Sequence, residues 1–131
     1  MKVLVTGVGG QLGYDVMREL HRQGIDCCGA DRAEFDITDF AATHEFITNY
    51  MPDAVIHCSA YTAVDKAEDE TELCRKVNAD GTENIAKVCK AINAKMIYIS
   101  TDYVFPGTGE QFYMPDDITA PCNVYGQTKL E

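Results

Sequence analysis

None of the six cysteines (Cys27, Cys28, Cys58, Cys74, Cys89, Cys122) forms a CxxC pair or joins a histidine at metal-ligand spacing, which argues against zinc ribbons and thioredoxin-like redox motifs. Most lie inside apolar stretches and read as small buried hydrophobes in a reducing compartment; no metal site is expected from the residues themselves. Basic residues are scarce. Eleven Lys and Arg stand against 21 Asp and Glu, a formal charge of −10, so no basic face is available to neutralise nucleic-acid phosphates, and no nucleic-acid partner is expected. Long apolar runs are missing too: the opening MKVLVTG reaches glycine after a few apolar residues, too short for a signal-peptide core or a spanning helix, which argues against a membrane and for the cytoplasm. What is present is an ordinary balance, 46% hydrophobic and 24% charged over 131 residues, enough for one domain with a sizeable core. The acidity leaves an anionic nucleotide open as a ligand, because helix N-terminal amides hold phosphate without Lys or Arg.

Glycine and proline divide the chain into alternating elements. Lys2 to Thr6 is a β-branched apolar run closed by Gly7 and predicts a buried strand. From Gln11 to Gln23, Leu12, Val16 and Leu20 recur every four positions with Met17 beside them, and Gly24 follows as a stop, the pattern of an amphipathic helix. Ile25 to Ala30 reads as a second strand, about Phe40 to Tyr50 as a helix, and Ala54 to Cys58 as a third strand after the Pro52-Asp53 break. The longest helical pattern, Leu73, Val77, Ile85, Val88 and Ile92, runs through Gly81 to near Asn93; Lys95 to Ser100 is the fourth strand. Short strands alternating with longer helices require parallel pairing, and right-handed crossovers then give a doubly wound α/β sheet with helices on both faces. Pro106, Gly107, Gly109, Pro115 and Pro121 make residues 101–121 mostly loop, and Asn123 to Glu131 opens another helix. The pattern stops there, so residues 1–131 are expected to be one nucleotide-binding domain, truncated at its C-terminal side.

The loop Thr6-Gly7-Val8-Gly9-Gly10-Gln11-Leu12-Gly13 spaces glycines as GxxGxxG between strand and helix. A pyrophosphate site needs them for the tight turn, for close backbone approach and for close helix packing, with the helix dipole supplying positive charge. Asp31, at the end of the second strand, stands where a carboxylate takes the ribose hydroxyls of an adenosine. Thr101 follows the fourth strand, and Tyr125-Gly126-Gln127-Thr128-Lys129 supplies a YxxxK pair with Tyr125 and Lys129 on one helix face. A phenol beside an ammonium has its phenolate favoured, so the expected Tyr125 pKa lies below the ordinary tyrosine value and the group can deliver a proton to a carbonyl. His21 and His44 have no partner at ligand spacing and read as surface residues. Glu68-Asp69-Glu70 precedes a helix start at Thr71, where negative charge suits the dipole. Asn78, polar on an apolar stripe, needs a partner if buried.

Together the strings TGVGGQLG, AYTAVDKAE, ISTDYVFPGTG and NVYGQTKLE resemble the extended short-chain dehydrogenase/reductases, and among them the dTDP-4-dehydrorhamnose reductase family, over the whole chain. The resemblance implies a Rossmann-like NAD(P)-binding fold and reduction of the 4-keto group of dTDP-6-deoxy-L-lyxo-4-hexulose to dTDP-L-rhamnose by NADH or NADPH. It implies a dTDP-sugar as partner, a homodimer for the full-length protein, and, from the resemblance alone, Mg2+. Carried over, Gly7, Gly10, Gln11, Leu12 and Gly13 line the pyrophosphate, Asp31 the adenosine ribose, and Asp36 and Ile37 the adenine edge. Ser59, Ala60 and Tyr61 pass under the cofactor. Thr101, Asp102 and Tyr103 meet the sugar, Tyr125 donates the proton, Lys129 orients the nicotinamide ribose and the tyrosine, and Asn78 supports the site from behind. Asp31 repels a 2′-phosphate while Arg32 attracts one, so NADH is expected to be preferred and NADPH tolerated.

This sequence departs from the family pattern in places. His57 stands where the family often has Asn, and its expected role is structural. The Phe112-Tyr113-Met114 loop lacks the frequent Trp, and the family's substrate-closing part lies outside these residues. Two alternatives stay open: a catalytically silent NAD(P)-binding regulatory subunit, as in methionine adenosyltransferase, or another extended short-chain enzyme acting on a nucleotide-sugar. Thr101, Tyr125 and Lys129 together favour an enzyme. Asp102 followed by Tyr103, Val104 and Phe105, with no acidic neighbour, argues against a dehydratase.

Overall fold

In the computed structural model, which describes all 131 residues, strands β1 (Lys2–Thr6), β2 (Asp26–Ala30), β3 (Ala54–His57) and β4 (Lys95–Tyr98) form one parallel sheet in the order β2-β1-β3-β4. Val3 pairs with Cys27 on one side and with Ala54 on the other. Val3, Leu4 and Val5 are at most 2% exposed, as a central strand covered on both faces requires. Helices α1 (Gln11–Arg22) and α2 (Phe40–Tyr50) connect the first three strands, and short helices α3 (Val64–Ala67) and α4 (Thr71–Arg75) lead into α5 (Gly81–Ala91) and β4. A 3₁₀ turn at Asp102–Val104 and helix α6 (Val124–Leu130) complete the chain. The doubly wound, Rossmann-like arrangement expected from the sequence is present. No helix is long and apolar enough to cross a membrane.

Local chemistry sets the boundaries. Asp39 caps α2 by accepting from Ala41 and Ala42 N–H groups, and Met51 (φ 50°) followed by Pro52 ends it. Gly24 (φ 67°) turns the chain out of α1, and Asn93 (φ 58°) does the same after α5. On one face of the sheet, Ile47 of α2 and Ile85, Val88 and Cys89 of α5 pack on Leu4, Ala30, Phe35 and Val55 to form the core. α1 packs on β1 and β2 from the opposite face, where Gly29 leaves room for Val8 and Met17.

Several boundaries differ from the sequence reading. β2 starts one residue later, β3 ends at His57 and β4 at Tyr98, because His57↔Tyr98 is the last paired register position and Cys58, Ile99 and Ser100 turn into the loops above the sheet. The long helical pattern is interrupted by a π-helical segment, Lys76–Asp80. Its wider turn breaks the four-residue phase, so Asn78 is buried while Leu73 is 46% exposed. Of the cysteines, Cys74 and Cys89 are buried, Cys27, Cys28 and Cys58 are half-buried and Cys122 is exposed. Burial as small hydrophobes therefore holds for two of them; all six are free thiols.

Candidate active site

The glycines set the geometry of the β1–α1 loop. Gly7 has φ 73°, and a Cβ there would lie 2.7 Å from the Ser59 nitrogen, so only glycine lets the loops after β1 and β3 touch. A Cβ on Gly13 would come within 2.2 Å of the Gly7 carbonyl oxygen, which brings α1 hard against the loop. Gly10 caps α1 without any side-chain hydrogen bond, and the first turn holds no acidic residue. Its backbone N–H groups are therefore left for an anion from outside the chain. Asp31 accepts from the Gly9 N–H (2.8 Å) and the Arg32 N–H (2.9 Å), so its carboxylate both ends β2 and holds the loop tip.

Two cavities open along this edge. The larger, about 580 Å³, is lined by Gly7, Gly10, Asp31, Asp36, Ile37, Ser59, Ala60 and Tyr61 among others. The smaller, about 280 Å³, is lined by Gly7, Gly10, Gln11, Leu12, Gly13, Ser59 and Ala60, together with His57, Ile99, Ser100, Tyr125 and Lys129. Gly7, Gly10, Cys58, Ser59 and Ala60 belong to both. The structure thus brings every cofactor candidate named from the sequence to one continuous groove, with the glycine loop at its middle and Tyr125 and Lys129 at one end. A groove of this extent with uncapped helix amides at its centre fits a dinucleotide. Thr101, Asp102 and Tyr103 lie beside the smaller cavity without lining it. The Thr101 hydroxyl donates to Asp102 (3.2 Å) and accepts from the Tyr103 N–H (3.2 Å). Nowhere do three or more His, Cys, Asp or Glu side chains converge as metal ligands.

Tyr125 is held by α6. Asn123 caps the helix by accepting from the Gly126 N–H (2.7 Å), and Glu68 accepts from the Val124 N–H (2.8 Å). A Cβ on Gly126 would lie 2.2 Å from the Tyr103 carbonyl oxygen, so glycine lets α6 press on the 3₁₀ turn, and the Tyr125 and Tyr103 rings meet edge to face at 5.7 Å. The expected lowering of the Tyr125 pKa is corrected. Burial raises it above the ordinary tyrosine value, with the Thr101 hydroxyl pulling the other way. The Lys129 ammonium is not turned to the phenol but sits 4.1 Å from the centroid of the Tyr98 ring. Lys129 is 6% exposed, and burial lowers its pKa to about 8.

Beneath the groove, the His57 ring is hydrogen-bonded to the Thr6 hydroxyl (2.7 Å) and the Thr82 hydroxyl (3.1 Å). Burial, aided by the nearby Lys129 charge, lowers its pKa to about 4 and keeps it neutral, as suits a structural role. Asn78 accepts from the Tyr61 N–H (2.7 Å) and donates to the Tyr61 carbonyl and the Thr128 hydroxyl (both 3.1 Å), tying the wall of the larger cavity to α6. His21 and His44 are exposed. The acidic run precedes α4 at Thr71 as expected and also makes contacts the sequence did not suggest: Glu68 accepts from the Val124 N–H of α6, and Glu70 accepts from the Tyr61 hydroxyl (2.6 Å) while pairing with Lys66 (3.1 Å). Phe35, Lys66 and Tyr98, and the part Glu70 plays at the wall of the groove, are not signalled by the motifs of the sequence. Only the i, i+4 spacing of Lys66 and Glu70 carried a signal.

A family model described as the RmlD substrate binding domain matches residues 1–131. A dTDP-4-dehydrorhamnose reductase of Streptomyces griseus is 43% identical over 96% of this chain and 41% of its own. The methionine adenosyltransferase 2 subunit beta of Pongo abelii is 38% identical over 99% of this chain and 41% of its own. The solved structure of dTDP-4-dehydrorhamnose reductase from Bacillus anthracis, in complex with NADP, superposes with a TM-score of 0.95 at 39% identity, covering 98% of this chain and 46% of that one. The chain spans about two-fifths of the length of these curated relatives. With its glycine-loop sheet edge and a match over every residue, it belongs to the RmlD substrate binding domain family.

Proposed function

We propose that these residues form the NAD(P)-binding half of a cytoplasmic NAD(P)H-dependent reductase that converts the 4-keto group of a dTDP-6-deoxy-hexulose to the hydroxyl of dTDP-L-rhamnose. The observation that carries this reading is the placement of Tyr125 and Lys129 in one cavity with the glycine loop. Asp31, Asp36, Ile37 and Tyr61 take the adenosine end, the amides of Gln11, Leu12 and Gly13 the pyrophosphate, and Ser59 and Ala60 the floor. A bound nicotinamide supplies the hydride that reaches the keto carbon. The Tyr125 phenol, kept protonated by burial, gives its proton to the keto oxygen. The Lys129 ammonium, buried and without an ion-pair partner, would donate to the nicotinamide ribose and stabilise the phenolate left when Tyr125 gives up its proton. Thr101 stands against the phenol and with Asp102 and Tyr103 faces the sugar. Six free thiols suit the reducing cytoplasm, and the full-length protein acts as a homodimer.

The reading is tested by adding a dTDP-4-ketosugar to the full-length protein and following nicotinamide oxidation. Turnover with NADH, and slower turnover with NADPH, is expected; tight nucleotide binding without turnover identifies a silent subunit instead. The Asp31 carboxylate held on the Gly9 amide supports the NADH preference, because a 2′-phosphate beside it would be repelled.

A further inference from the structure

Lys129 is seated by an aromatic ring rather than a carboxylate. It makes no ion pair, and its ammonium lies 4.1 Å from the centroid of the Tyr98 ring, near the smaller cavity that its side chain helps line. Tyr98 is the last paired residue of β4, and two further contacts fix it. Its hydroxyl donates to the Lys129 carbonyl (3.2 Å), and its ring stacks on that of His57, 6.2 Å between centroids and 22° from parallel. His57 is itself held at both ring nitrogens by Thr6 and Thr82. One hydrogen-bonded and stacked column therefore runs from the centre of the sheet through His57 and Tyr98 to the ammonium.

We propose that Tyr98 is a positioning residue for Lys129: its ring face sets where the ammonium stands at the nicotinamide end of the groove. A cation held over a ring face keeps its charge out of water without the competing pull of a carboxylate, leaving its N–H groups for a ribose or a phenol. A carboxylate in that place would hold those N–H groups for itself. The titratable groups facing Lys129 are His57 from β3, Tyr98 from β4, Cys74 from α4 and Tyr125 from its own helix. His57 is neutral, and burial pushes the Tyr98 phenol up to about 12, so these two rings keep their protonation states across the physiological range and Tyr98 remains a donor to the α6 carbonyl.

The inference rests on the reductase reading only for its kinetic part, so two measurements are made on the full-length protein. The Lys129 amine is titrated by nuclear magnetic resonance with labelled lysine, its signal assigned through Lys129→Arg. Tyr98→Phe, which keeps the ring and drops the hydroxyl, should leave the titration midpoint near that of the parent. Tyr98→Leu, which removes the ring face, should lower it by about one pH unit, the scale of a desolvated cation–π contact. With a dTDP-4-ketosugar, Tyr98→Leu should cut kcat by about tenfold or more while changing the sugar KM by less than about threefold, and Tyr98→Phe should retain most of kcat. Equal behaviour of the Phe and Leu variants in both measurements, or a Lys129 midpoint unmoved in Tyr98→Leu, overturns the assignment. If the parent protein turns over no ketosugar, the titration alone still decides the role of Tyr98, and only the reductase reading falls.

Discussion

At the scale of single residues, two titratable groups sit where burial opposes their charge, and each predicts a pH effect of definite sign. His57, 1% exposed, has a folded pKa of about 4 against an ordinary 6.5. Between these values the unfolded chain binds a proton that the folded chain refuses. The stability is thus fully present above 6.5 and is lost as pH falls toward 4, by about 3 kcal/mol. Lys129, at about 8 against 10.5, follows the same rule higher up: stability should rise as pH goes from 8 to 10.5. Urea unfolding of the full-length protein across the acid window should show the loss, and His57→Asn should flatten it; an unchanged acid slope in that variant would mean another group is responsible. Tyr125 predicts a kinetic effect. Its replacement by Phe removes the proton donor and should lower kcat about 10²- to 10⁴-fold with nucleotide affinity intact, as read by fluorescence titration; near-normal turnover would remove Tyr125 from the chemistry.

At the scale of elements, α6 is fastened to the segment before α5 at three heights: Glu68 on the Val124 N–H, Asn78 on the Thr128 hydroxyl, and Arg75 in a 2.9 Å ion pair with Glu131. Asn78 also holds both backbone groups of Tyr61, so the Tyr125 helix and the adenosine-side wall share one anchor. Asn78→Leu leaves the Tyr61 N–H and carbonyl without their partner, while the Thr128 hydroxyl keeps the Tyr125 carbonyl, and should cost about 1–3 kcal/mol of stability, with a weakened nucleotide affinity. Lost stability with unaltered affinity would separate the anchor from the groove. The strand, glycine loop and α1 were legible because each is dictated locally, by a β-branched run, by Gly7 and Gly13 where a Cβ has no room, and by a four-residue apolar repeat. The YxxxK pair was legible because helix periodicity alone puts Tyr125 and Lys129 on one face. The π segment was not, because Leu73 and Val77 continue an α-helical stripe that only the burial of Asn78 against Tyr61 and Thr128 breaks. Nor was the partner of Lys129: a strand tyrosine gives no sign in sequence of which helix its ring will meet, so the spacing suggested an ammonium facing Tyr125 instead.

At the scale of the whole molecule, the sheet ends at β4, whose Ile97 is 52% exposed on the face away from the core, with Ile99 37% exposed just beyond it. A polypeptide confined to these 131 residues offers an unpaired parallel edge beside that apolar surface, a combination that favours association. Sedimentation of such a polypeptide should show species larger than a monomer, and Ile97→Lys should reduce them; a monodisperse monomer at high concentration would show the edge to be harmless. The groove has its own large-scale consequence, which follows from the five residues that its two cavities hold in common. Two sites with one floor act on a dinucleotide as a bivalent receptor acts on a tethered pair. Once either end is seated, the other is held at an effective concentration in the millimolar range by its short pyrophosphate link, so the joined molecule binds far more tightly than its halves. Adenosine monophosphate and nicotinamide mononucleotide, offered separately, should each bind weakly, and neither should displace the dinucleotide except at concentrations that overcome this tether.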